Sequence, residues 1–314
     1  MQILIAVLQV IVIIALAPLF SGITKKVKAF FQIRKGPGIF QPYYDIGKLL
    51  KKDSVVSENV SWIFHAAPLV SFAAVLTAGL LIPVFISDLP FSFAGDLIAV
   101  IYLFALARFF TALASLDAGS SFGGMGGSRE MFVASLVEPA MMLSIFAVAV
   151  NVGSTNLSFI SQSVAYLGID AISPSYLLAF VAFFIITIAE TGRIPVDNPA
   201  THLELTMIHE AMILEYSGKQ LAIVELGAMI KQLLIFSLLA NIFFPWGIAV
   251  GASWAGILLG LLAYMIKILI LGTAMAVVET STAKWRLFRL PELMSISLML
   301  SFLALISFII VKGG

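Results

Sequence analysis

Residues 3–20 read ILIAVLQVIVIIALAPLF, and the chain then turns basic with Lys25, Lys26 and Lys28. A run of this length suits a helix that crosses a bilayer, which needs about 20 mainly apolar residues. No basic stretch precedes it and no small-residue cleavage site follows it, so it reads as a retained first helix and not as a signal peptide. Working outward, runs of the same kind lie near 65–87, 97–117, 130–152, 175–191, 220–243, 251–279 and 292–312. The expected fold is therefore an all-α integral membrane protein, one polytopic domain over residues 1–314 with about eight transmembrane helices.

Composition leads to the same class. Of the 314 residues, 61% are hydrophobic and 11% charged, against roughly a quarter charged in a soluble domain. The formal net charge of +1 provides no electrostatic footprint for nucleic acid. With no cysteine, the chain can form no disulfide, offers no thiol nucleophile and supplies no thiolate to an iron–sulfur cluster.

Charge position orients the spans. Basic residues crowd the segment 24–64, and Arg129, Arg193, Lys219, Lys284, Arg286 and Arg289 fall in later connections of the same side, leaving Lys312 on the other. The positive-inside rule then places the connections near 24–64, 118–129, 192–219 and 280–291 in the cytoplasm and both termini outside a cell membrane. These connections are the expected docking face.

Three of them stand out. The first holds Arg34, Gly36 and Pro37, then Asp45 and Lys48 in a stretch whose apolar and charged residues alternate at helical spacing. A short amphipathic helix at the membrane surface is expected, serving either to dock a partner or to hold the loop to lipid headgroups. The second runs from Asp117 through a glycine-rich stretch to Ser128, Arg129 and Glu130. No lysine follows at P-loop spacing and no strand precedes it, so Ser128 reads better as the N-cap of the next helix. The third runs from Glu190 through Arg193, Pro195 and Asp197 to His202, Glu204, His209, Glu210 and Glu215. On one helix Glu204 and Glu215 would share a face, and His202, Thr206 and His209 another. His209-Glu210 opens like a zinc-protease motif, but Ile213 stands where the second histidine is required. A metal site is not expected.

Charged residues also fall within or at the edges of the predicted spans: Arg108, Glu138, Glu190, Glu225, Lys231, Lys267 and Glu279. Such groups face a polar interior or neutralise, since a charge at mid-bilayer costs a few kcal/mol. Glu138, Glu190, Glu204, Glu210, Glu215 and Glu225 form the candidate proton or ion path. Interhelical ion pairs, for example Glu138 or Glu279 with Arg108 or Lys267, are the structural alternative.

The three segments together resemble the family of the H subunit of NADH–quinone oxidoreductase (complex I) and its relatives in membrane-bound nickel–iron hydrogenases. The residues that carry the resemblance are Arg34-Lys35-Gly36-Pro37-Gly38, Asp45-Ile46-Gly47-Lys48-Leu49, Leu116-Asp117-Ala118-Gly119, Ser128-Arg129-Glu130 and Leu136-Val137-Glu138-Pro139, followed by Glu190-Thr191-Gly192-Arg193-Ile194-Pro195-Val196-Asp197 and Glu215-Tyr216-Ser217-Gly218. Quinone-reducing members carry an Asn-Arg-Ala-Pro-Phe-Asp-like stretch, and Gly192-Arg193-Ile194-Pro195-Val196-Asp197 is more similar to the formate hydrogenlyase type. The resemblance implies a membrane anchor that holds no cofactor itself. Its partners would be a cytoplasmic arm with a nickel–iron centre and iron–sulfur clusters, and antiporter-like membrane subunits. A complex I quinone-site subunit, a sulfur-reducing relative and a stand-alone secondary transporter are the rival readings.

Overall fold

The computed structural model describes residues 2–88, 91–197, 207–251 and 253–313. The described residues are largely helical: α1 (Gln2–Phe31), α2 (Gln41–Leu50), α3 (Trp62–Leu81), α4 (Leu97–Asp117), α5 (Ser121–Val152), α6 (Leu157–Leu167), α7 (Pro174–Glu190), α8 (His209–Ile213), α9 (Gly218–Phe243), α10 (Trp254–Ser281) and α11 (Leu290–Gly313). Each of the eight expected spans is a helix, and seven are long and apolar enough to cross a membrane. The exception is α7 at 17 residues, about 25 Å by helical rise. The amphipathic helix expected after Gly38 is α2, whose Pro42 and Ile46 are buried while Tyr44 and Lys48 stay exposed.

The helix at the centre of the bundle is α9. Every residue from Gln232 to Phe243 is buried, as fits a helix that is apolar on all sides. Around it pack α1, α2, α3, α6, α7 and α10, while α5, α7 and α11 form a second group joined to it through α7 and, by way of α4, through α3. Polar backbone at the two ends is tied by cross-loop bonds. At one end Val55 N–H donates to Ser217 Oγ (2.7 Å), Asp117 Oδ2 accepts from Ser61 N–H (2.8 Å) and Trp285 N–H donates to the Pro195 carbonyl (2.9 Å). At the other, Ala249 N–H donates to the Phe85 carbonyl (3.0 Å) and Leu97 N–H to the Thr155 carbonyl (3.1 Å). The basic connections all gather at the first end.

Two expectations need correction. The glycine-rich stretch is not a loop ahead of a helix capped by Ser128. It is helical from Ser121, and the cap is Ser120, whose Oγ accepts from Gly123 N–H at 3.1 Å. The glycines permit close packing: a Cβ at Gly126 would lie 2.8 Å from Ala211 Cβ and 2.9 Å from the Ile208 carbonyl, and one at Gly123 would lie 2.5 Å from the Ser115 carbonyl. Helix α5 thus takes α4 on one side and the 208–213 segment on another, which a larger residue would block.

The second correction concerns the continuous helix expected over the third segment. His202 and Glu204 lie outside the described residues, and the helix that follows, α8, covers only His209–Ile213. The chain turns at 214–217 because Tyr216 is drawn inward. Its ring stacks on Phe64 at 4.1 Å and its hydroxyl donates to the Phe64 carbonyl (3.0 Å). Burial pushes the Tyr216 phenol above its usual pKa, so it stays a neutral donor.

Replacing Gly126 with Val should lower stability by about 1–3 kcal/mol through overpacking against Ala211. Gly124→Val is the matched control, because a Cβ there would meet nothing closer than Leu116 Cδ2 at 4.0 Å. Thermal unfolding of the two variants in the same detergent separates them, and equal midpoints would contradict the packing account.

Candidate functional site

The arrangement grows from Arg108, on the buried face of α4 with a side chain only 4% exposed. A guanidinium there must find counter-charges, and its planar fork of donors reaches three of them. Its Nε lies 3.3 Å from Glu130 Oε1, its Nη1 donates to Glu138 and its Nη2 to Glu190. Glu130 and Glu138 lie about two turns apart on α5 and so share a face. Glu190 closes α7, and Lys231 from α9 donates to it at 2.8 Å. Four helices meet at this cluster. Three carboxylates against two cations leave one negative charge in excess if all ionise, so the cluster can hold one proton without becoming net positive.

The acids differ in surroundings. Glu190 is sealed at 2% exposure, whereas Glu138 is 34% exposed on the flank of the bundle. Glu130 touches Arg108 off-axis, and Arg108 Nε makes no aligned hydrogen bond.

A cavity of about 250 Å³ leads from this cluster to the basic end. Glu130, Glu190 and Lys231 line its inner part, and Glu210, Glu225 and the exposed Lys25 its outer part. Glu225 feels the charges of Glu210, Lys25 and Asp45, which brings the surface helix α2 within electrostatic reach of the cavity. A smaller, mainly apolar annex of about 60 Å³, walled by Phe72, Val75 and Met212, shares Glu130, His209 and Lys231 with it.

A strap of ion pairs forms one wall. Arg193 Nη2 donates to Gln232 Oε1 (2.8 Å) and Arg193 Nη1 lies 3.5 Å from Glu279, which Lys28 also contacts at 2.9 Å. Lys284 pairs with Asp197 (2.7 Å), whose second oxygen accepts from His209 N–H (3.2 Å). The residues around Pro195 are thereby clamped between α9, α10 and the connection after α10.

Of the residues singled out from sequence, the structure brings together Arg108, Glu130, Glu138, Glu190 and Lys231, and beside them Glu210, Glu225, Arg193, Asp197 and His209. It leaves Glu215 exposed at the turn before α9. Asp117 caps α3, accepting from Ser61 and Phe64 N–H, and Arg129 donates to the Met207 carbonyl (2.9 Å). Arg34, Gly36, Pro37 and Lys48 are exposed at the basic end. Lys267 and Glu279 are not partners: Lys267 meets Asn241 instead. Sequence reasoning does not single out Gln232, which lines the cavity, or Lys28, which pairs with Glu279 behind it. Gln232 follows Lys231 on an otherwise apolar helix, which is the available signal.

These features define a polytopic membrane protein with a buried charge cluster opening through a cavity to one end. The chain belongs to the NADH dehydrogenase family, which matches it over residues 3–311. It is 36% identical to formate hydrogenlyase subunit 4 of Escherichia coli (strain K12), over 98% of this chain and 99% of that protein. It is 38% identical to hydrogenase-4 component C of the same organism, over 90% and 88%. Against the H subunit of NADH-quinone oxidoreductase from Anaplasma marginale (strain St. Maries), identity is 29% over 86% and 81%. The fold is that of a chain in the membrane-bound sulfane sulfur reductase, an archaeal respiratory membrane complex, with a TM-score of 0.87 over 98% of this chain, 99% of that chain and 21% identity.

Removing Arg108 leaves three carboxylates facing one lysine. Arg108→Met is expected to cost about 3–5 kcal/mol, the loss typical of breaking a buried pair, and Glu130→Gln much less. Thermal unfolding in detergent measures both, and similar losses would show that Arg108 is not the organising charge.

Proposed function

We propose that this chain is the membrane-anchor and coupling subunit of a complex I-like, membrane-bound nickel–iron hydrogenase. Its basic end would face the cytoplasm, with both termini on the outer side of the cell membrane. A cytoplasmic arm carrying the nickel–iron centre and the iron–sulfur clusters would dock there, and antiporter-like membrane subunits would lie alongside. The redox groups would belong to those partners, since a chain without cysteine offers no thiolate to an iron–sulfur cluster. The observation that carries the reading is the Arg108 cluster joined by a cavity to the docking end. The greater identity to the hydrogenlyase and hydrogenase-4 proteins favours the hydrogenase branch.

In this reading a redox event in the arm changes the charge at the cavity mouth, where Lys25, Glu210 and Glu225 stand. Protons pass from Glu210 and Glu225 to the excess-acid cluster around Arg108. In a poor dielectric, loss or gain of one proton shifts the balance between Glu130, Glu138 and Glu190 for the same guanidinium. Glu138, on the flank of the bundle, is placed to hand the proton on to a neighbouring membrane subunit. The apolar annex beside the cavity favours one alternative, a quinone headgroup site as in complex I.

The test is purification of the complex through a tag on this chain, with hydrogen evolution and proton uptake measured in vesicles. Nickel, iron–sulfur clusters and coupled hydrogen evolution are the expected result; bound quinone with NADH-linked reductase activity would move the chain to complex I. An active, transporting monomer would make it a secondary transporter. Glu138→Gln leaves Arg108 and Lys231 balanced by Glu130 and Glu190, so assembly should survive. Proton translocation should fall by at least roughly tenfold while hydrogen evolution continues, and unchanged coupling would rule out Glu138 as a carrier.

A further inference from the structure

The end of the bundle opposite the cavity contains a second polar patch that the Arg108 cluster does not use. Beyond α3 the backbone of residues 82–87 is non-helical yet buried throughout. Irregular backbone at such depth persists in a membrane protein only where protein groups or a polar cavity satisfy it. Here two amides do so. Gln9 Nε2 donates to the Gly79 and Ile82 carbonyls (2.7 and 2.9 Å), and Asn241 Nδ2 to those of Pro83 and Val84 (2.7 and 2.6 Å). Gln9 is fully buried, and its Oε1 has no partner.

Lys267, near the middle of α10, reaches this patch. Its Nζ donates to Asn241 Oδ1 at 3.3 Å, and among the described residues no carboxylate lies within ion-pair distance of it. One turn away, Tyr264 shares a hydrogen bond of 2.7 Å with Ser237, itself one turn from Asn241 on α9. The polar groups bonded to Asn241 or joined into the patch are Gln9, the carbonyls of Gly79, Ile82, Pro83 and Val84, Ser161, Ser237 and Tyr264. Only Tyr264 among them titrates.

We propose that Lys267 is a proton-carrying residue of the half of the membrane opposite the cavity, so that this chain contributes to the path on both sides. The inference rests on the coupling role proposed above. Its basis is the partner. A carboxylate would hold the ammonium charged, whereas an amide oxygen accepts from –NH₃⁺ and from –NH₂ alike. Asn241 cannot turn its amide nitrogen toward the lysine, because two carbonyls already hold that nitrogen. The site thus keeps the amine in place in either protonation state. In the step itself one ammonium N–H bond breaks and its proton passes to water at the far end. The neutral amine then takes a proton from water arriving from the cavity side. Lys231 and Asn241 are about 15 Å apart along α9, and the fully buried Leu234 and Phe236 lie between them, so the two polar halves are insulated from one another at rest.

Arginine and histidine decide the matter, because arginine keeps the charge and cannot release a proton, while histidine can. In vesicles of the whole complex, Lys267→Arg and Lys267→Met are expected to cut proton translocation per hydrogen evolved by at least roughly tenfold. Lys267→His should recover part of it. Hydrogen evolution with a protonophore present should remain in all three, showing intact assembly. Wild-type coupling in Lys267→Arg would mean that the charge alone matters, for a lipid phosphate or a partner's carboxylate, and would overturn the assignment. So would full coupling in Lys267→Met. A wild-type complex that evolves hydrogen without moving protons would instead defeat the coupling reading, and this inference with it.

Discussion

A single guanidinium inside an apolar bundle sets the terms for the rest of the structure. Arg108 cannot lose its proton and is almost wholly withdrawn from solvent, so carboxylates must come to it. They come from two other helices, and Lys231 of a third balances Glu190 in turn. The relative positions of α4, α5, α7 and α9 are thereby tied to one point. Three carboxylates against two cations leave excess acid at that point, so one proton can be taken up there without making the cluster net positive.

The packing around the cluster serves the same end. Glycines on α5 let the 208–213 segment and α4 approach closely, so that His209 and Glu210 reach the cavity wall over a helix that would otherwise hold them off. Next to them, Arg193 is tied through Glu279 and Lys28 to α10 and α1, and Asp197, which accepts from His209 N–H, is tied by Lys284 to the connection after α10. A movement of the basic end would therefore be felt directly by the residues that border the acids. The apolar layer on α9 separates this end from the Asn241–Lys267 patch, an arrangement that suits controlled transfer better than an open pore.

Family membership and geometry meet at this point. The chain that matches the NADH dehydrogenase family has relatives named as hydrogenlyase, hydrogenase-4 and quinone oxidoreductase components, so one fold and one set of spans serve proteins whose names differ in chemistry.

Much of the architecture is readable from sequence because span length, apolar run and loop charge are local properties. The eight helices, the amphipathic α2 and the basic end all follow from them. Local chemistry also shows that Arg108, Glu138, Glu190 and Lys231 need partners. It cannot say which, because Arg108 and Glu190 are 82 positions apart and their meeting depends on how helices pack. For the same reason the glycine-rich stretch reads as a loop: only contact with α4 and the 208–213 segment shows why a helix there must be smooth. Gln9 and Asn241 are inconspicuous in apolar runs, and only the buried, unwound segment after α3 makes them necessary. Composition and periodicity thus determined a multi-pass helical protein with a basic face, whereas tertiary packing decided which charges neutralise one another and where a proton can be held.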